Sequence, residues 1–387
     1  MRLGVGTASP HPEGDPVADP AGLDFLVKKS DWKQHRFDET PVPEIGAGQV
    51  LFRVDRFAFT ANNISYALAG DLLGYWRFFP APEGWGRLPT MGFGDVVASE
   101  HADVAVGTRC FGFYPMSRYL RIEPASVGAG GIVDGAAHRE GLAPAYAQYT
   151  PTEGDPLHRP EHEDALLLMR GLFLTSFLAD DFLADRAFGE EAVLISSASS
   201  KTSIALGHQV SRAGRARAVG LTSPRNLEFV RKLGCYDRVL TYDEVVELDA
   251  TTPSVYVDMS GNGALRRKIH SHFGDRLLHS CTIGATHWDQ TGDDDEDLPG
   301  PKPEFFFAPG QIQKRSADWG PAELQRRLAE AWSGFRAFSE GWLEVRRGAG
   351  RAAVVRVYED TLAGRSEPQH GHVLSLWEEE ASQDERA

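Results

Sequence analysis

From Val50 to Phe59 apolar and polar residues alternate, the period of a strand with one buried face. The surrounding region, 42–150, is dense in Gly, Pro and aromatic residues. Within it GDVVASE, GTRCFGFYP and RYLRIEP read as short strands between turns, so the pattern predicts an irregular β-rich domain. Near residue 155 the period changes. EDALLLMRGLFLTSFLADDFLADRAF has apolar residues at helical spacing and a polar opposite face. Strands and helices then alternate. EAVLISS is a strand and KTSIALGHQVSRAG a helix that stops at Gly214. ARAVGLTS is a second strand, followed by the helix PRNLEFVRKLG with Pro224 in its first turn and Gly234 as its stop. DRVLTY, PSVYVDMSG and DRLLHSCTIG are three more strands, with the helix NGALRRKIHSHF before the last. Such alternation predicts a parallel sheet covered on both faces. AELQRRLAEAWSGFRAFSE predicts another long helix, and GRAAVVRVYEDTLAGRSEPQHGHVLSLW a β-like ending. No internal repeat is evident. The boundaries expected are a loose arm at 1–20, a β-rich domain at 21–154, a parallel-sheet domain at 155–312, and a helix with a return to the β-rich domain at 313–387.

Length and charge narrow the class. A chain of 387 residues suggests about two domains. Hydrophobic residues at 42% and charged residues at 25% are ordinary for a soluble globular protein. The formal charge of −15 repels nucleic acid and anionic membranes, leaving room only for a local basic pocket. The N-terminus lacks a basic start followed by an apolar run, and no stretch reaches the ~18 apolar residues of a spanning helix. Cys110, Cys235 and Cys281 lie far apart with no CxxC pair, which argues against a disulfide framework or a structural zinc. A reduced, cytoplasmic protein is expected. GDDDEDLPGPKP lacks the ligand spacing of a calcium loop and reads as a solvated loop. The pairs His270/His272 and His370/His372 have no third ligand nearby and read as solvated surface.

Candidate chemistry centres on VLISSASSKTSIALG, Val193–Gly207. An apolar run, a small-residue loop and a helix have the shape of a nucleotide-binding turn, in which free N–H groups and the helix dipole attract phosphate. Glycine usually lines that turn. Here Ser197, Ser200 and Ser203 recur at a spacing of three, and Ser199, Ser200, Lys201 and Thr202 offer donors to phosphate oxygen. Taken alone, the loop reads first as a structural N-cap, since a strand, a serine-rich turn and a helix are a common sequence. A kinase-type phosphate loop is a third reading: the Lys–Thr end fits, but Ile195 stands at the leading glycine and a serine precedes Lys201. The end of the second strand adds weight. In a dinucleotide fold an acidic residue there takes the ribose 2′-hydroxyl and a basic one takes a 2′-phosphate. GLTSPRN has no acid; Ser223 and Arg225 occupy the position, which favours NADPH over NADH.

These residues resemble the cofactor domain of medium-chain dehydrogenases/reductases, in the quinone-oxidoreductase and enoyl-reductase branch. VLISSASSKTS stands where that branch has GAAGGVG, LGCYDRVLTY (Leu233–Tyr242) parallels "LGAdhvidY", and VYVDMSG parallels "vvlDsvG". QVLFRVDRFAFTANNISYALAGD, VGTRCFGF and GHVLSL match the β-rich part, so the resemblance covers roughly 42–380. TANNISYALAGD…GYWRFFPAPEGWGRLPTMGFGDVV and LISSASSKT are more similar still to a bacterial family within the superfamily that is defined only as a domain of unknown function. The resemblance implies an α/β fold: a Rossmann-type doubly wound parallel sheet plus a β-rich GroES-like domain. It implies hydride transfer from NADPH to an activated alkene, enoyl thioester or quinone, and by analogy a homodimer. MGFGDVVASE has no Cys or His where the zinc alcohol dehydrogenases of the superfamily hold their metal, so no metal is expected.

The resemblance also places site residues. The family's cleft lies on the segment that TANNISYALAGD occupies. Asn62 or Asn63 would donate to a substrate carbonyl and Tyr66 would donate a hydrogen bond or the proton; a turn and ordinary packing are the competing readings. Tyr75, Trp76 and Phe79, with Phe78, would line an apolar pocket or form core. Thr175 would face the nicotinamide or phosphate, Tyr242 would join the cofactor site, and Ser260, Gly261, Ile283 and Gly284 would border the nicotinamide beyond the strand ends. Three functions follow: an NADPH-dependent reductase, a non-redox enzyme on the same fold, or a nucleotide-binding protein without turnover.

Overall fold

The computed structural model describes residues 21–68, 70–72, 74–128, 130–142, 146–283 and 297–378. The expected N-terminal arm, Gly284 and most of the acidic run lie outside those residues.

Six strands form the parallel sheet: Ala192–Ile195, Arg217–Thr222, Arg238–Thr241, Ser254–Asp258, Leu277–Thr282 and Glu304–Phe305. Numbered within this sheet along the chain, they lie in the order 3-2-1-4-5-6. The order reverses between Ala192–Ile195 and Ser254–Asp258, which pair in register from Ala192↔Ser254 to Ile195↔Val257. A crevice opens beyond the carboxyl ends of strands at such a switch point. Helices Lys201–Ala213 and Leu227–Leu233 end at Gly214 and Gly234, both in the left-handed conformation that closes a helix.

A nine-stranded sheet makes the β-rich part, and Val50–Phe59 is its centre. That strand does not simply alternate. Its register against Pro89–Ser99 shifts between Val54 and Arg56, the mark of a bulge. Val54 and Phe57 are thereby both buried, while Asp55 and Arg56 both turn outward. Ala58 is buried too, against the helix Glu163–Arg186 rather than in the barrel core. The core proper is aromatic: Phe25, Phe52, Phe59, Tyr114, Tyr149 and Tyr358 are fully buried.

The β-like ending is corrected. Gly350–Leu362 is a helix, and only His370–Ser375 is a strand, antiparallel to Val50–Phe59. In that helix the buried positions are Gly350, Ala353, Val354, Val357, Tyr358 and Thr361. Their spacing of three and four is helical, but the β-branched valines hide it.

Helix Glu163–Arg186 joins the two parts. Leu166–Phe173 pack under the β-rich sheet, while Leu178 and Leu183 enter the core beneath the parallel sheet. Its first turn is tied by charge. Glu163 meets Arg56 at 2.7 Å, Arg109 at 2.8 Å and His158 at 3.0 Å, and Arg109 also reaches Asp55 and Asp95. Among the described residues no helix is long and apolar enough to cross a membrane.

Candidate cofactor and substrate site

The switch point is built from serines. The chain leaves strand Ala192–Ile195 at Ser196 and turns through Ser197–Ser200 into helix Lys201–Ala213. Ser197 has φ 51°, a left-handed conformation that costs a non-glycine residue on the order of 1–2 kcal/mol. The tight turn is therefore present, but at one position. Ser200 has φ −74° and caps the helix. Its Oγ accepts the Ser203 N–H at 3.2 Å and donates to Ser203 Oγ at 2.8 Å, which in turn donates to the Ser196 carbonyl at 2.9 Å. Ser200 has no hydrogen left for a phosphate, which corrects its expected role. Ser199 keeps one, because its Oγ accepts from Asn226 Nδ2 at 2.9 Å. The first-turn amides of Lys201 and Thr202 lack intrahelical acceptors, as at any helix start, and point out of the turn.

Lys201 is the larger correction. Its Nζ donates to the carbonyls of Pro368 at 3.1 Å and His370 at 2.8 Å. Burial lowers its pKa to about 8. The side chain thus clasps the segment entering strand His370–Ser375 instead of reaching toward a phosphate. The histidines are corrected as well. His270 is fully buried between the Pro299 carbonyl and Ser280 Oγ, and His272 contacts the Leu248 carbonyl at 2.8 Å. His372 is half-buried, and burial, with His370 and Lys201 nearby, lowers its pKa.

The second strand ends at Thr222, whose fully buried hydroxyl has no hydrogen-bond partner among the described residues. Ser223 follows, half-buried, and Arg225 is exposed with a 3.4 Å contact to the Gly364 carbonyl. Tyr242 comes beside the serine turn, near Ser197, and burial raises its pKa. Asp258, at the end of the fourth strand, was not singled out by sequence reasoning. It accepts from Ser196 Oγ at 3.0 Å, Ser260 N–H and Oγ at 2.9 Å each, and Gly261 N–H at 3.0 Å, with the Arg266 guanidinium at 3.7 Å. A carboxylate buried at a strand end is the signal that marks it. Through Asp258 the structure brings Ser260, Gly261 and the serine turn together. Ile283 does not join them with its side chain, which is buried in the core under the sheet.

On the β-rich side, helix Ala61–Leu68 carries the asparagines and Tyr66. Asn63 is corrected: its Oδ1 accepts from Thr60 N–H at 2.7 Å and its Nδ2 donates to the Pro89 carbonyl at 2.9 Å. It fastens the helix start and is buried, so its amide is not presented to a substrate. Asn62 sits one helical turn before Tyr66 on the same helix. Tyr66 is half-buried, its ring centroid 4.5 Å from that of Tyr75. Burial, then the nearby Tyr146, pushes its pKa well above the usual value. Trp76 and Phe79 are core, the second of the two readings their sequence allowed. Trp76 fills the space that a Cβ on Gly70 or Gly86 would need, and Phe79 lies under the Arg139 guanidinium.

Two contacts of one helix join these halves. Ser176 Oγ donates to the Thr202 carbonyl at 2.8 Å, at the serine turn. Gly171 faces Met91, which packs on the tyrosine cluster. Five residues of helix separate them, about 7.5 Å of axial rise. Thr175 lies between, half-buried, its hydroxyl donating to the Gly171 carbonyl at 3.2 Å.

This is the fold of the medium-chain dehydrogenases/reductases, a Rossmann domain with a GroES-like domain. CurA from Vibrio vulnificus, in a structure in complex with NADPH, superposes with TM-score 0.57 and 13% identity over 91% of this chain and 98% of that one. The quinone oxidoreductase from Coxiella burnetii superposes with TM-score 0.53 and 14% identity over 92% and 99%. The CurK enoyl reductase matches with TM-score 0.53, 14% identity, 92% and 99%. The chain belongs to the DUF2855 family, described as a protein of unknown function, whose profile matches residues 57–367. No curated protein matches the sequence.

Proposed function

We propose that the protein is an NADPH-dependent oxidoreductase that reduces an activated alkene, enoyl thioester or quinone. One observation carries this reading: helix Glu163–Arg186 touches the serine turn through Ser176 and the tyrosine cluster through Gly171 and Met91. A cofactor at the turn and a proton donor at Tyr66 would therefore share one cleft.

The residues fit NADPH. The helix start offers the Lys201 and Thr202 amides and the Ser199 hydroxyl to the pyrophosphate. The second strand ends without an acid, and exposed Arg225 with Ser223 suits a 2′-phosphate. Bound there, the cofactor supplies a hydride. The chain does the rest. Thr175 and Ser260 border the cleft. Tyr66, kept protonated by burial, donates to the substrate carbonyl as negative charge develops. The packing around Met91 and Phe113 excludes water. Zinc has no role in this reading, because MGFGDVVASE carries neither Cys nor His. That CurA of Vibrio vulnificus takes NADPH on the same fold supports the cofactor assignment.

The test is a screen of quinones and enones, following the loss of the reduced nicotinamide's near-ultraviolet absorbance. Acceptor-dependent oxidation of NADPH is expected. NADPH binding without oxidation by any acceptor would favour a protein that holds the nucleotide without turnover.

A further inference from the structure

The first turn of helix Lys201–Ala213 is held from two sides. On one side Ser176 Oγ, on helix Glu163–Arg186, donates to the Thr202 carbonyl at 2.8 Å. On the other, Lys201 Nζ donates to the carbonyls of Pro368 at 3.1 Å and His370 at 2.8 Å. The two holders pack on each other: a Cβ on Gly371 would have no room beside Leu168 of helix Glu163–Arg186. His370 opens strand His370–Ser375, which pairs with Val50–Phe59 from His372↔Phe59 to Leu374↔Phe57. Ser375 Oγ adds a bond to the Asp55 carbonyl at 2.7 Å. Phe59 is fully buried. The next residue, Thr60, gives its N–H to Asn63 Oδ1 at 2.7 Å, at the start of the helix that carries Tyr66. Hydrogen bonds and one strand pair thus connect the serine turn to the Tyr66 helix. A half-buried ammonium given to two main-chain carbonyls, with no carboxylate paired to it among the described residues, is a costly way to fill space that an apolar stem would fill. The cost has a reason if the contact fixes one part of the molecule against the other.

We infer that Lys201 is a positioning residue: it latches the serine turn to strand His370–Ser375 and thereby sets Tyr66 at its distance from the nucleotide. The inference rests on the reductase reading. In that reading hydride and proton reach one acceptor in one geometry, and a misplacement of about 1 Å can cost on the order of 100-fold in rate. The Lys201 side chain touches neither nucleotide nor acceptor. Its amide faces the pyrophosphate, while its ammonium faces the strand. Losing the ammonium therefore leaves the nucleotide's contacts in place and loosens the frame around them.

Lys201→Met keeps an unbranched stem and removes the donors. Amide hydrogen exchange of the nucleotide-free protein, read by mass spectrometry, should quicken several-fold in residues 61–66 as well as in 368–373. Quickening confined to 368–373 overturns the inference, because a merely local clasp would do that much. In turnover with NADPH and a quinone, kcat should fall about 10-fold, while the Kd for NADPH, read by calorimetric titration, stays within about twofold. Lys201→Gln has a shorter arm that meets one carbonyl at most. It should show the same changes at smaller size, and it serves where Lys201→Met does not fold. If NADPH and NADH both bind 10-fold more weakly or worse, the ammonium is a pyrophosphate ligand; if kcat is unchanged, the latch is idle. Either result overturns the inference and leaves the reductase reading standing. If no acceptor oxidises NADPH with the wild type, the reductase reading falls, while the exchange in residues 61–66 still decides whether the latch exists.

Discussion

Ser197 and Arg225 show what a single residue decides at this site. A serine at φ 51° makes the tight turn for which glycine is the usual residue. Ser200 and Ser203 serve the helix cap instead. Lys201 read as a phosphate ligand from its position, but a side chain's direction is set by tertiary partners, here the Pro368 and His370 carbonyls. The positive charge that remains exposed at the second strand's end is Arg225. If it holds the 2′-phosphate, Arg225→Ala should weaken NADPH about 10- to 100-fold, because charge-assisted bonds are worth about 1.5–3 kcal/mol. NADH should change less than about twofold. Equal losses, measured by titrating both nucleotides, would remove Arg225 from the site.

At the scale of elements, the parallel-sheet strands were legible because buried apolar runs and turn residues mark them without help from the rest of the chain. Gly214 and Gly234 end their helices where the sequence reading put the stops. Two elements were less legible. The bulge in Val50–Phe59 depends on pairing with Pro89–Ser99, which no local pattern records. Helix Gly350–Leu362 was masked by its valines. The candidate site was half legible: Tyr66, Ser223 and Arg225 stand out by type and position. Asp258 and Ser176 matter through contacts made across the chain. Close packing between helix and strand is one such contact. A Cβ on Gly207 would fall 2.5 Å from the Tyr236 ring, whose hydroxyl holds the Ala198 carbonyl of the serine turn at 3.0 Å. Gly207→Ala should therefore destabilise by about 1–2 kcal/mol despite alanine's better helix propensity, a balance of overpacking against propensity. Urea unfolding reads this directly; a variant as stable as wild type would show that Tyr236 yields without cost.

Across the whole molecule, the two parts are fastened by charge at Glu163. Its burial works to raise the pKa, but hydrogen bonds from Arg109 and His158, with the Arg109 and Arg56 charges, hold it at about 2. A carboxylate whose pKa is lower folded than unfolded adds stability above its unfolded value, near 4.5, and loses it as pH falls toward about 2. The contribution is at most about 3 kcal/mol. The stability gap between wild type and Glu163→Gln should therefore be widest at neutral pH and shrink by pH ~3. A gap that stays constant would mean that the network fastens nothing. In the proposed function this junction sets a working NADPH site opposite Tyr66. Calorimetric titration of the purified protein with NADPH and with NADH tests it most directly. Micromolar binding of NADPH and far weaker binding of NADH is the predicted result. Binding of neither nucleotide would mean that the serine turn is a structural cap alone, and the reductase account would be wrong.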